Sequence, residues 1–426
     1  MSLNCIQYSG YWCQAAPLGI GFSQARTPSL TWRSYVHYET VGLIFALTAM
    51  HGQNPSFKSH DEKYWVYVGT ANYNGAPSRK LYAGRFDTQT GELELAGLAA
   101  ETENPGFLAV RPDQRYLYAT NEVGDLYGRK VGGVSAFRHD AATGRLELLN
   151  QVPSFGANPA YITVSRNGRF VLVSSYYGGT ISLPIRDDGS LGPPASEVRE
   201  TGSGVNRERQ ESSHPHSVVL SPDNRFAVIA DLGLDKIFVY RFDQGTGSLL
   251  ANPPAFVRAP PGSGPRHLAF SPSAHFAYVV NELNSTISTY SFDAQHGVLH
   301  LLETISTLPP SFKGKNTGAE VQAAPSGKFV YVSNRGHDSI GVFKVDPEKG
   351  TLRAIQDESS QGRTPRNFVL DPSGRFLLVG NQDSDQIVVF KVDEGTGRLT
   401  PTGTKVTVIA PVCIAFMADE GNGQGP

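Results

Sequence analysis

Apolar and polar positions recur along this chain in one unit, repeated seven times. An apolar strand ends in a small or polar residue after a tight turn, and a third and fourth strand follow around an acidic turn of the form D-x-x-T-G-x-L. The second strands of the seven units read WVYVGT (65–70), YLYATN (116–121), FVLVSS (170–175), FAVIAD (226–231), FAYVVN (276–281), FVYVSN (329–334) and FLLVGN (376–381). Counted from Val68 through Ala119, Val173, Ile229, Val279, Val332 and Val379, the spacings are 51, 54, 56, 50, 53 and 47. Strand-rich repeats of about this length are blades of four strands each. The pattern predicts an all-β fold, a seven-bladed β-propeller.

Within each unit the first strand follows a proline. GFLAV comes after Pro105, AYITV after Pro159, HSVVL after Pro215, RHLAF after Pro265 and RNFVL after Pro365. In one unit Ala319 is read in place of the proline, before EVQAA. The turns RPDQR, SRNGR, SPDNR, SPSAH, APSGK and DPSGR come next, rich in the residues that tight turns need. The first unit lacks its inner strand, and Pro411-Val-Cys-Ile-Ala-Phe416 supplies one at the other end of the chain. A C-terminal strand is therefore expected to close the ring beside the N-terminal blade, which leaves no open edge at the junction.

In an antiparallel hairpin the start of one strand lies beside the end of its partner. Two rings of positions should then face the same mouth of the central channel. The first, one residue after the proline or its substitute, is Gly106, Ala160, His216, Arg266, Glu320, Arg366 and Val412. The second, just past each second strand, is Glu122, Tyr176, Leu232, Glu282, Arg335 and Gln382. Any one of these has an ordinary explanation as a hydrogen-bonded or paired wall residue. Together, His216, Arg266, Glu282, Glu320 and Arg335 bring acids, bases and cations into one concave space, which marks a binding or catalytic centre.

Other motifs carry less. His214 and His216 form an H-x-H pair, but no third ligand stands at usable spacing, so no metal is expected. Gly262-Ser-Gly264 resembles part of a phosphate loop, yet it precedes a strand where that reading needs a helix N-terminus. No G-x-S-x-G nucleophile motif is present.

Composition adds boundaries. The chain has 426 residues, a net charge of −2 and no basic tract, which argues against nucleic acid as a partner. Gly 45 and Pro 28 suit many short strands and turns. The three cysteines, Cys5, Cys13 and Cys413, form neither a disulfide framework nor a zinc spacing, and Cys413 reads as a buried small hydrophobe. Residues 62–418 are assigned to the propeller, 1–61 to a leader and 419–426 to a flexible tail. The leader holds one apolar stretch, Val41 to Met50, too short to span a bilayer. Its length and the upstream Arg33 fit a secretory signal, whereas the forty residues before it and the abutting Glu39 do not. Cytoplasmic and exported readings both stay open.

SSHPHSVVLSPDNRF (212–226), GSGPRHLAFSP (262–272), YVVNELNSTISTY (278–290), GAEVQAAPSGKFVYVSNRGHDSI (318–340) and TPRNFVLDPSGRFLLVGNQ (364–382) resemble the seven-bladed propeller lactonases. That family includes 6-phosphogluconolactonases and carboxy-muconate lactonising enzymes, and the resemblance runs from Tyr64 to Phe416. By motif it implies His216, Arg266, Glu282 and Arg335 as catalytic residues, with Glu320 and Arg366 supporting substrate binding. It implies hydrolysis of 6-phosphoglucono-1,5-lactone, a pentose phosphate pathway step in glucose metabolism, without cofactor. The partner is then a small anionic lactone; no membrane span is expected, and the oligomeric state is left open. In that chemistry His216 or Glu282 activates water. Arg266 or Arg335 meets the charge growing on the carbonyl oxygen, and the remaining arginine, with Arg366, holds the phosphate. A glutamate beside two arginines is a weak base, which favours His216. Two alternatives remain: a lactonase or cycloisomerase acting on a carboxylated, muconate-type lactone, and a propeller that only binds partners.

Overall fold

The computed structural model describes residues 63–73 and 78–419; the expected leader and most of the expected tail, with Cys5 and Cys13, lie outside them. The described residues form 28 strands in seven four-stranded antiparallel sheets. In chain order the innermost strands are Pro105–Val110 (blade 2), Gly156–Val164 (blade 3), Pro215–Leu220 (blade 4), Pro265–Phe270 (blade 5), Thr317–Ala323 (blade 6) and Pro365–Leu370 (blade 7). Blade 1 takes its innermost strand, Pro411–Ala418, from the C-terminal end and pairs it with Lys63–Thr70. Each innermost strand touches the next around a closed ring. The all-β propeller and its closure by the C-terminal strand are as the repeat predicts.

The second strands are buried on both faces, which is why they read as continuous apolar runs. Their side chains build seven hydrophobic clusters, one at each junction between neighbouring blades. The acidic turns add a latch. In the turn of blade 2, Asp140 Oδ1 accepts the backbone N–H of Ala142 at 3.0 Å, and Gly144 takes a φ of +70°. A Cβ on Gly144 would overlap the Trp65 ring of blade 1. The same relation joins Gly297 to Phe226 and Gly397 to Phe329, so glycine is needed for conformation and for close approach alike.

One backbone device positions the site. On each innermost strand the register slips by one residue just after the entry position, which is a proline in six of the seven blades. Pro215 pairs with Asp231 and Ser217 with Ala230; Pro265 pairs with Asn281 and His267 with Val280; Pro365 pairs with Asn381 and Asn367 with Gly380. The extra residue of each bulge, here His216, Arg266 and Arg366, leaves the ladder and is re-aimed.

Candidate active site

In blade 6 the entry position belongs to Gly318, which pairs with Asn334 as Pro265 pairs with Asn281. The mouth ring therefore reads Gly106, Ala160, His216, Arg266, Ala319, Arg366 and Val412. This corrects the sequence-based register, which took Ala319 for the proline and set Glu320 in the ring. The physical reason is the bulge: the register slips between Gly318 and Val321, so Gly318 stands opposite Asn334 where the other blades carry proline, and Ala319 takes the ring place. Glu320 lies one layer deeper, level with Phe107, Tyr161, Ser217, His267, Asn367 and Cys413. The signal was present: every other ring pair is 16 residues apart, and Ala319 to Arg335 is 16 where Glu320 to Arg335 is 15.

At the mouth, Glu282 is the hub. Its Oε2 accepts from Arg266 Nε at 3.0 Å and faces Arg335 Nη2 at 3.0 Å, and its Oε1 accepts from Arg209 Nη2 at 2.7 Å. Burial pushes this carboxyl up, but Arg335, Arg266, His216 and Arg209 together hold it well below the usual carboxylate range. Arg335 also donates to Gly318 O at 3.0 Å, and its buried Nε has no protein partner. Arg366 lies over the Tyr73 ring at 4.6 Å and 3.7 Å from Glu122, whose Oε2 accepts from the Tyr73 hydroxyl at 2.7 Å.

His216 is buried edge-on to Tyr176, and its Nδ1 has no protein partner. Burial, Arg266 and His267 hold it well below the ordinary histidine value, so the imidazole is neutral at physiological pH. His214 is turned elsewhere, with Nδ1 3.0 Å from Tyr176 O and Nε2 3.0 Å from Glu211. Among the described residues no group of three or more His, Cys, Asp or Glu could hold a metal ion. The Gly262–Gly264 loop is filled by the chain itself, for Asp235 accepts from the N–H groups of both glycines at 2.6 and 2.8 Å.

Beneath the mouth runs a second polar chain. Arg266 Nη1 donates to Ala319 O at 2.6 Å and lies 3.1 Å from His267 Nε2. His267 Nδ1 is 3.1 Å from Glu320 Oε1, and Asn367 Nδ2 donates to Glu320 Oε2 at 2.6 Å. Since a guanidinium only donates, His267 carries its proton on Nδ1 and gives it to Glu320. Burial pushes the Glu320 carboxyl up to about 7, against Arg266 and the N–H donors of Val321 and Asn367. The far end of the chain is Asn367 Oδ1, which accepts from Ile414 N of the closing strand at 2.9 Å.

A cavity of about 290 Å³ opens over this hub. His216, Glu282, Arg335, Arg366 and Arg209 line it together with Tyr73, Glu122, Asn158, Ala160 and Tyr176. Wider grooves of about 520 and 550 Å³ lie at the outer edges between blades, but Glu197 of the first and Arg79, Glu101 and Asp125 of the second are exposed. Volume alone does not mark the site; buried, mutually oriented charge does. Sequence reasoning missed Arg209, which comes from a connecting loop outside the repeat, and His267, which the GPRH motif contained.

The closed propeller thus gathers buried guanidinium groups, a neutral imidazole and a carboxylate at its channel mouth, a set of side chains suited to receiving a small anion. Residues 65–416 match the model of the family described as Lactonase, 7-bladed beta-propeller. The chain is 35% identical over 356 residues to the 6-phosphogluconolactonase of Bacillus subtilis, covering 83% of this chain and 99% of that one. It is 34% identical over 311 residues to the 6-phosphogluconolactonase of Formosa agariphila, covering 72% and 86%. The structure of the periplasmic gluconolactonase of Pseudomonas aeruginosa superposes with a TM-score of 0.77 at 38% identity, covering 84% of this chain and 99% of that one. The chain belongs to the seven-bladed β-propeller lactonase family, and it is a lactonase.

Proposed function

We propose that this lactonase hydrolyses 6-phosphoglucono-1,5-lactone to 6-phosphogluconate at the channel mouth. The observation that carries the reading is a charge count. Arg209, Arg266, Arg335 and Arg366 pair with Glu122 and Glu282, an excess of two positive charges in the ion-pair network at the mouth, and three of these arginines line the cavity. A phosphate monoester carries about −1.5 to −2 at pH 7, which matches that excess. The names of the Bacillus and Formosa relatives agree with it.

The neutral imidazole of His216 takes a proton from water as the oxygen attacks the lactone carbonyl carbon. The charge that collects on the carbonyl oxygen is met by Arg335, whose Nε has no protein partner, and by Arg266. When the tetrahedral adduct collapses, the ring oxygen leaves and takes the proton from the His216 imidazolium, giving the open hydroxy acid. Glu282 stays ionised under three guanidinium groups, which makes it a weak base and a strong organiser. Arg366 holds the phosphate by charge-assisted hydrogen bonds. Glu320 and His267 act through Arg266 as positioning residues.

The Pseudomonas structure, named for gluconolactone, favours a second reading in which the substrate is unphosphorylated. Initial rates on freshly generated 6-phosphoglucono-1,5-lactone and on glucono-1,5-lactone, with spontaneous hydrolysis subtracted, separate the two. The proposal expects a clear preference in kcat/KM for the phosphorylated lactone. Equal or lower values would overturn the substrate assignment.

A further inference from the structure

Among the described residues, Arg209 is the one mouth cation that the propeller repeat does not supply. It sits on the connection from the outer strand Ser196–Val198 to the inner strand Pro215–Leu220. That connection, residues 199–214, is longer than the corresponding stretches between other blades, of which the next is 307–316. Long ordered loops in compact folds are commonly functional. This one is fastened firmly. The buried Gln210 donates to Leu232 O at 2.9 Å and to Asp235 Oδ1 at 2.7 Å, and its Oε1 accepts from Asn206 N at 3.0 Å. Asp231 accepts from Ser213 Oγ at 2.5 Å and from His214 N at 2.9 Å. The Asn206–Gln210 bond closes the turn that carries Arg209, and the Gln210, Ser213 and His214 bonds that follow it fasten that turn to blade 4.

The four guanidinium side chains form a depth series. Arg266 is 3% exposed, Arg335 13%, Arg366 17% and Arg209 41%. A 1,5-lactone carries its phosphate one carbon beyond the ring. A carbonyl turned toward the deep Arg266–Arg335 pair therefore leaves the phosphate at the rim, where Arg366 and Arg209 stand. Both side-chain contacts of Arg209, to Glu282 Oε1 at 2.7 Å and to the Tyr176 hydroxyl at 3.4 Å, run through Nη2. Glu282 keeps Arg266 and Arg335 on its other oxygen, so it stays compensated when Arg209 turns to a ligand.

We propose that Arg209 is a specificity-determining residue that selects phosphorylated over unphosphorylated lactone by binding the phosphate at the rim. This rests on the lactonase reading above. The test is the ratio of kcat/KM for 6-phosphoglucono-1,5-lactone to that for glucono-1,5-lactone in the wild type, Arg209→Gln and Arg209→Lys. Losing a charge-assisted contact should lower the ratio by about 10- to 100-fold in the glutamine variant, mainly through KM, with partial recovery in the lysine variant. An unchanged ratio overturns the proposal, whether both rates fall together, as they would if Arg209 only held Glu282, or neither moves. Calorimetric titration with 6-phosphogluconate and with gluconate reads the same selectivity without turnover. If the wild type turns over neither lactone, the functional reading fails. Arg209 is then upheld by wild-type preference for 6-phosphogluconate that the glutamine variant loses, and overturned if the wild type shows no preference.

Discussion

The two arcs of the channel mouth are built from the same backbone and carry opposite chemistry. In blades 4, 5 and 7 the bulge after the entry proline presents His216, Arg266 and Arg366. In blades 1, 2 and 3 the same bulge presents Val412, Gly106 and Ala160. One arc concentrates charge, and the other removes side-chain volume, so that a cavity exists for the charges to face. The lesson is that the repeat fixes where a side chain points and each blade's own residue fixes what happens there. Blade 6 blends the two: Ala319 leaves room at the mouth, while Glu320 below it supports Arg266 through His267.

The comparison breaks most severely at Glu282. Glu282→Ala leaves Arg209, Arg266 and Arg335 around an uncompensated site and should cost about 3–5 kcal/mol of stability, with activity lost. Denaturant unfolding beside lactonase rates would check it, and wild-type stability in the variant would mean the charged arc is not held by its carboxylate.

His216→Gln removes the proposed base and should lower kcat by about 10²–10⁴-fold while the protein stays folded. Because burial, Arg266 and His267 depress its pKa, the base form of His216 survives below pH 6.5 and is lost only as pH falls further. The acid limb of kcat/KM should accordingly lie below 6.5, and a limb above that value would exclude His216 as the base.

Glu320 tests the layer under the charged arc. Its folded pKa of about 7 lies above the unfolded value of 4.5, so the folded state binds the extra proton. Its stabilising contribution is complete below about 4.5 and is lost as pH rises through 7, a slope worth at most about 3 kcal/mol. Glu320→Gln should flatten the stability profile between those values, read by thermal unfolding in a pH series. A profile parallel to the wild type would remove Glu320 as its source.

The smallest effect belongs to the small arc. A Cβ at Gly106 would come within 2.5 Å of Glu122 Oε2 and 3.0 Å of its Cβ, forcing Glu122 to move. Glu122 stands 3.7 Å from Arg366, so Gly106→Ala should raise KM for the phosphorylated lactone a few-fold. Unchanged kinetics would show that the small arc tolerates volume and that its emptiness is incidental.

Much of this molecule follows from local sequence. Seven apolar runs at similar spacing, each with its turn, determine seven four-stranded blades, because strands buried on both faces must be apolar throughout and tight turns need Gly, Asp, Asn or Pro. The closing strand was equally legible, since Pro411 opens an inner strand with no blade of its own. His216, Arg266, Glu282, Arg335 and Arg366 could be named because ladder pairing places them at one end of each hairpin. Three matters came right only in three dimensions, although the spacing of Ala319 and Arg335 already carried a signal of the first. The register of blade 6 depends on a bulge, and a one-residue slip moves a side chain between layers, so Glu320 left the mouth for the chain beneath it. The partnership of Arg266, His267, Glu320 and Asn367 joins three blades, and no spacing along the chain encodes it. Arg209 reaches Glu282 from a loop outside the repeat, a contact set by how Gln210 and Asp235 fold that loop back over the channel.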